Sequence, residues 1–274
     1  MEEAFFHVIA SSSSGNCAFL RAGGVNALID AGISASRIRE ALRQYGASLG
    51  DIDAIFITHE HSDHCCALET LSKYPQITVF ANESTYEIIT AKKPGTRALS
   101  WKVFTSGQSF RFRGLKVSSY PVPHDASDTV AYRIEACGKS VVWLTDLGKP
   151  TILARDAAKS ANILVLESNY CPLMLERSQR PMRLKARISG SHGHLSNADA
   201  ISILRDLDGS VVEKIFLAHV SKECNDVRHI AELLAPLPGP ILSKIEIVNP
   251  FEGCRMRYGW SAGAGENGGQ MRLF

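Results

Sequence analysis

The stretch Thr58-His59-Glu60-His61-Ser62-Asp63-His64 holds four side chains able to ligate a metal: His59, His61, Asp63 and His64. It directly follows the apolar run Asp53-Ala54-Ile55-Phe56-Ile57, which reads as a strand delivering a loop of ligands. Extended backbone projects residues two apart to the same side, so His59 and His61 can face one ion together. A turn into a following helix would aim Asp63 and His64 the other way, and one short loop could then serve two adjacent cations. Two divalent ions about 3.5–4 Å apart can share a bridging hydroxide as nucleophile at neutral pH, the arrangement used for in-line hydrolysis of phosphate esters. Imidazole-rich ligation favours zinc, while the carboxylates also suit manganese.

The elements that must position these groups follow from the apolar patterning. Short β-type runs at Phe5–Ile9, Cys17–Arg21 and Ala27–Asp30 are separated by Ser11-Ser12-Ser13-Ser14-Gly15-Asn16 and by Gly23-Gly24, both turn signals. The serine-rich segment reads as a plain turn, with a phosphate cradle as the rival reading, and Ser14 and Asn16 are its candidate substrate contacts. Helix 36–45 closed by Gly46, strand 52–57, helix 65–73, strand 77–80 and helix 83–91 alternate as in α/β proteins. Consecutive strands are predicted over 103–105, 109–112, 115–120 and 129–135, then strand 140–145, helix 151–160 and strand 163–166. The region 173–191 reads as irregular and basic. Helix 197–207, capped by Ser196, precedes strand 214–218, helix 226–234 and strand 241–248. His59, His124, Asp146, Glu167 and His219 each sit just past a β-run, so they are expected to converge on one cleft at the strand ends.

Composition bounds the rest. At 274 residues and 45% hydrophobic the chain can bury a sizeable core. Residues 1–258 are expected to form one domain, and 259–274 a flexible glycine-rich tail. A balance of 30 Lys plus Arg against 28 Asp plus Glu leaves a net charge of +2, so any polyanion-binding footprint must be local. Met1-Glu2-Glu3 is acidic where an export signal is basic, and the run 5–10 is too short to span a membrane; the protein reads as cytoplasmic, with no membrane partner. Seven scattered cysteines with no CxxC pair read as reduced thiols.

The series His59-Glu60-His61-Ser62-Asp63-His64, then His124, Asp146 and His219, resembles the HxHxDH, His, Asp, His signature of the metallo-β-lactamase superfamily. That resemblance implies an α/β (α+β) fold, a four-layer αββα sandwich with the metals at one edge. It implies His59, His61 and His124 on a first ion, Asp63, His64 and His219 on a second, and Asp146 bridging. Ser13-Ser14-Gly15-Asn16, Ile29-Asp30-Ala31-Gly32, Glu167-Ser168-Asn169, Gly193-His194-Leu195-Ser196-Asn197 and Leu217-Ala218-His219-Val220-Ser221 with Glu223-Cys224-Asn225 look like the YycJ/WalJ-type single-domain DNA exonucleases. The last three also resemble segments of the ribonuclease Z family, in which a Glu orients a His serving the leaving group; Glu167 and His194 match those positions. The chain departs from the pattern at Ala67, where the superfamily usually has Gly, and at Tyr170-Cys171, where the branch commonly has His-Asp.

On this reading Asp63 orients the nucleophile and accepts its proton, and His194, held by Glu167, protonates the departing oxygen. Asp30 is either an acceptor for a ligand histidine's N–H or a turn carboxylate. Arg177, Arg180, Arg183, Lys185 and Arg187 lie between the Glu167 and His194 segments and can hold a phosphate backbone, with Arg183, Lys185, Arg187, Ser196 and Asn197 as candidate substrate contacts. His7, His192 and His229 read as packing, loop and helix-surface residues. The expected activity is two-metal hydrolysis of nucleic acid, DNA in preference to RNA. Alternatives are a ribonuclease Z-like RNA phosphodiesterase, a glyoxalase-II-like thioesterase, and a protein in which the metal only staples the fold.

Overall fold

A computed structural model describes residues 3–254 and 257–261. Its first sheet contains β1 (Glu3–Ser12), β2 (Gly15–Ala22), β3 (Val25–Ile29), β4 (Ala54–Phe56), β5 (Thr78–Asn82) and β6 (Ser100–Phe104). Helices α1 (Ala35–Arg43), α2 (Ser62–Cys65), α3 (Leu68–Leu71) and α4 (Glu83–Lys92) are threaded between those strands. The second sheet contains β7 (Ser109–Phe112), β8 (Leu115–Pro121), β9 (Val130–Ala136), β10 (Lys139–Leu144), β11 (Ile163–Glu167), β12 (Lys214–Ala218) and β13 (Ile245–Ile247). With it come α5 (Ile152–Lys159), α6 (Pro172–Arg177), α7 (Met182–Ser189), α8 (Asn197–Arg205), α9 (Val227–Leu234) and α10 (Gly239–Leu242), before β14 (Tyr258–Ser261) returns to pair with β1. The strand orders are β14-β1-β2-β3-β4-β5-β6 and β13-β12-β11-β10-β9-β8-β7.

Alternation along the strands builds the layers. Phe6, Phe56, Tyr132, Trp143 and Phe216 point into one core shared by the two sheets. Their neighbours Phe5 and Ile55 face the opposite side of the first sheet, where Ile38 and Leu42 of α1 and Ile89 of α4 cover them. Val142 and Ile215 do the same on the second sheet beneath Ala157, Ile203 and Ile230. The result is the αββα sandwich expected from the sequence. Parallel pairing of β3 with β4, of β10 with β11 and of β11 with β12 brings their carboxyl ends to the edge that carries the site.

Four local expectations need correction. The region 173–191 is not irregular: Pro172 opens α6, Pro181 precedes α7, and Leu175, Leu184 and Ile188 pack against Tyr170 and Cys224. The helix expected at 65–73 is two short helices, and the first already contains Asp63 and His64. The strand expected at 241–248 divides into α10 and the three residues of β13, because Pro238 and Pro240 start a helical turn inside the apolar run. Of the tail expected over 259–274, Gly259, Trp260 and Ser261 are instead strand, pairing with Phe5, Ala4 and Glu3; residues 262–274 lie outside the described residues.

Candidate metal centre

Three residues of the site leave their strands with left-handed backbone: Asp30 after β3 (φ 58°), Asp146 after β10 (φ 57°) and His219 after β12 (φ 53°). Non-glycine residues in that region cost about 1–3 kcal/mol each and cluster where a site requires them. The turn after each strand redirects the side chain into the space between the sheet edges. The ligand loop itself is seated by β3: the Ala31 N–H donates to His64 O (2.8 Å) and Ala67 N–H to Ala31 O (2.9 Å). This approach requires Gly32, where a Cβ would lie 1.6 Å from Asp63 O.

His59, His61 and His124 present ring nitrogens within 4.8 Å of one another. His59 Nε2 and His61 Nδ1 are 3.0 Å apart, and His124 Nδ1 donates to Gly193 O (2.9 Å), leaving its Nε2 facing the site. Burial lowers the pKa of His59 well below the ordinary imidazole value and that of His61 less far, so both rest as neutral imidazoles, the metal-binding form. His64 Nε2 lies 3.1 Å from Asp146 Oδ2 and 3.5 Å from Asp63 Oδ2, while His219 Nδ1 lies 3.3 Å from Asp146 Oδ2. The other six residues expected as ligands thus gather around Asp146.

The donor set fits divalent cations. His219 is fully buried, yet neither ring nitrogen makes a well-aligned hydrogen bond, the 3.3 Å approach of Nδ1 to Asp146 Oδ2 included, and Asp146 Oδ2 is likewise without one. Leaving such buried atoms unpaired costs about 1–3 kcal/mol each, and a cation removes that cost. Burial disfavours charge on Asp146, but His219 and His64 outweigh it and hold the carboxyl well below the usual range. No cysteine belongs to the clustered donors among the described residues; Cys65 Sγ is turned onto Glu60 O at 3.6 Å and Cys66 is exposed.

The second ring of contacts clarifies several residues. Asp30 Oδ2 takes the Nδ1 proton of His64 at 2.8 Å, while its carboxylate also accepts from the Thr58 N–H and hydroxyl. Of the two readings of Asp30, the histidine acceptor is therefore the one the structure shows. Asn16 is not a surface contact as expected: it is fully buried, and its Nδ2 donates to Ser12 O (3.2 Å) and approaches His64 Nε2 to 3.0 Å. Ser196 and Asn197 are also committed within the fold. Ser196 caps α8 and donates to Asp199 Oδ2, and Asn197 bonds Ser168 and Asn225. His7 bridges Cys254 O and Tyr45 Oη, as packing residues do. His192 is exposed, and His229 is half-buried near Glu232.

Glu167, the last residue of β11, is completely buried and divides its carboxylate: Oε2 accepts the Leu147 N–H at 2.8 Å and Oε1 faces His194 Nδ1 at 2.8 Å. Burial disfavours charge on His194, but Glu167, with Asp146 and Asp125 adding, raises its pKa to about 9. An open pocket of about 230 Å³ joins His61, Asp63, His124, Asp146, His194 and His219 to Ser13, Ser221, Arg180 and Arg187. Arg187 is on α7 and pairs with Asp125, beside His124. Lys185 donates to Glu176 O (2.6 Å), tying α7 to α6, and Arg183 is exposed on the same helix. Asp125 and Glu60 were missed from sequence. Glu60 is buried and accepts the Ser127 N–H at 2.9 Å, joining the ligand loop to the His124 loop; its place between His59 and His61 was the available signal.

A sandwich with this His/Asp set at its edge defines a metal-dependent hydrolase. A family model described as beta-lactamase superfamily domain matches residues 25–220. The chain belongs to the metallo-β-lactamase superfamily. It is 34% identical over 230 residues to the exodeoxyribonuclease WalJ of Streptococcus pneumoniae, covering 83% of this chain and 85% of that one. It is 30% identical over 228 residues to the exodeoxyribonuclease YycJ of Bacillus anthracis, covering 83% and 86%. Among solved structures, the metallo-β-lactamase fold protein YhfI of Bacillus subtilis superposes with a TM-score of 0.69 at 14% identity, over 94% of this chain and 100% of that one. No helix among the described residues is long and apolar enough to cross a membrane.

Proposed function

We propose that the chain is a two-metal phosphodiesterase that degrades DNA as an exonuclease. His59, His61 and His124 would hold one ion, Asp63, His64 and His219 the other, and Asp146 both. Zinc suits the imidazole-rich set best, and manganese suits the carboxylates. When bound, such ions supply an acidified water and neutralise charge on the phosphoryl oxygens. Asp63, half-buried at the pocket wall, orients the attacking water and takes its proton. His194 carries the proton that the leaving oxygen needs, and Glu167 fixes its ring through Nδ1 so that Nε2–H is the donor. Arg183 and the rest of α7 supply positive charge for the phosphate backbone.

The observation that carries this reading is the Glu167–His194 pair at 2.8 Å, opening into the pocket that the ligand set lines. A thioester substrate would leave the basic helix without a role, and a purely structural metal would leave the proton donor without one. The names of the two relatives support DNA as the substrate. Incubation of zinc- or manganese-loaded protein with 5′- and 3′-labelled DNA and RNA tests it. Stepwise shortening of DNA from one end supports the proposal; exclusive cleavage of RNA replaces the substrate, and no cleavage of either rejects it.

A further inference from the structure

Phe251 is the only aromatic side chain among the large hydrophobic residues strongly exposed in the described part of the chain, at 65%. It is held out by a built turn. Asn249 Oδ1 accepts the N–H groups of Phe251 (2.8 Å) and Glu252 (3.2 Å), and Gly253 N–H donates to Asn249 O (2.8 Å). Gly253, at φ 82°, presses the turn against β1 so closely that a Cβ there would lie 2.1 Å from Ile9 O. The turn thus fixes the position of an apolar ring at the surface.

The neighbouring groups indicate its chemistry. Lys222 Nζ lies 4.9 Å from the centroid of the Phe251 ring and donates to Ser14 Oγ at 3.1 Å. Ser13, next to Ser14, and Ser221, next to Lys222, both line the pocket of the candidate metal centre. A flat apolar face beside a cation at the rim of a phosphodiesterase site matches one repeating unit of a single strand, a base together with its phosphate. Residues 222 and 251 lie beyond the stretch 25–220 that the family model matches.

We infer that Phe251, with Lys222 and Ser14, forms a stacking platform for a nucleobase of single-stranded DNA leading to the site. This rests on the phosphodiesterase reading. The ring takes any base, because every base has a π-face, and Lys222 meets the adjoining phosphate; the platform therefore grips the strand without reading its sequence.

The test compares wild type, Phe251→Ala and Phe251→Trp on a single-stranded oligonucleotide and on the same strand carrying consecutive abasic sites next to the cleaved end. Phe251→Ala should lose on the order of tenfold in kcat/KM on the base-bearing strand, chiefly through KM. Phe251→Trp should keep wild-type values, and the abasic strand should not distinguish the three proteins. Equal kcat/KM for wild type and Phe251→Ala on the base-bearing strand overturns the platform alone, as does an equal loss on both strands. Wild type that cuts neither strand overturns the phosphodiesterase reading, and the platform with it.

Discussion

Glu167 and His194 come from separate segments, the end of β11 and the loop before α8, and meet through Oε1 and Nδ1 at 2.8 Å. The remaining oxygen of Glu167 is fixed by the Leu147 N–H, so the carboxylate has no freedom to turn away. Glu167→Gln places an amide in that position with one donor facing another. It should lower kcat on DNA by about ten- to a hundredfold and leave bound metal unchanged. Loss of both metals together with activity would instead make Glu167 a ligand.

The charge on His194 gives a pH signature. Its pKa of about 9 means that it is protonated at neutrality, and the proton is lost as pH rises. Cations bound nearby pull that value down, so kcat should fall on a basic limb below pH 9. Rates measured from about pH 6 to about pH 10 should show the limb in wild type and lack it in His194→Ala. An identical limb in both would assign it to another group.

Asp30 buffers the second ligand cluster through His64 Nδ1. Removing the charge in Asp30→Asn should weaken one of two metal equivalents by about 10- to 100-fold, as outer-shell partners of ligand histidines generally do. Titration with a competing chelator reads this; two unchanged affinities would reduce Asp30 to an anchor for Thr58.

Gly32 sits where β3 meets the ligand helix. Gly32→Ala brings a methyl group against Asp63 O and should destabilise the fold by about 3 kcal/mol while displacing Asp63 and His64. Thermal unfolding and metal content check both effects, and a variant with wild-type melting and two ions would contradict the close packing.

Arg183 is exposed on α7 and is the member of the basic segment proposed to meet phosphate directly. Arg183→Ala should weaken DNA binding uniformly across sequences and flatten the log K against log salt plot by about 0.7, the value for one single-strand phosphate contact. A sequence-dependent loss would indicate base contacts instead.

The strand ends were legible because buried parallel strands are apolar runs, and a His, Asp or Glu that follows one is conspicuous. The order of runs gave only the α/β alternation; the αββα sandwich followed from the resemblance of the His/Asp series to the metallo-β-lactamase superfamily. What escaped the sequence was how polar residues divide between surface and interior. Asn16, Ser196 and Asn197 have types that suit substrate contact, but each is buried with internal hydrogen-bond partners that composition does not reveal. The basic segment looked irregular because of Pro172 and Pro181, which in fact sit at helix starts. Tyr170 and Cys171, in place of His and Asp, are both buried; Tyr170 packs with Leu175, Ile188 and Cys224 as the apolar seat of those helices.

The most direct test of the central claim pairs metal stoichiometry with DNA cleavage for three proteins. Wild type should bind two ions and shorten DNA. His61→Ala should lose metal and activity together, and His194→Ala should keep both ions while turnover falls by about 10²- to 10⁴-fold. Wild-type turnover by His194→Ala, or two bound ions in a wild type that leaves DNA intact, would contradict the account.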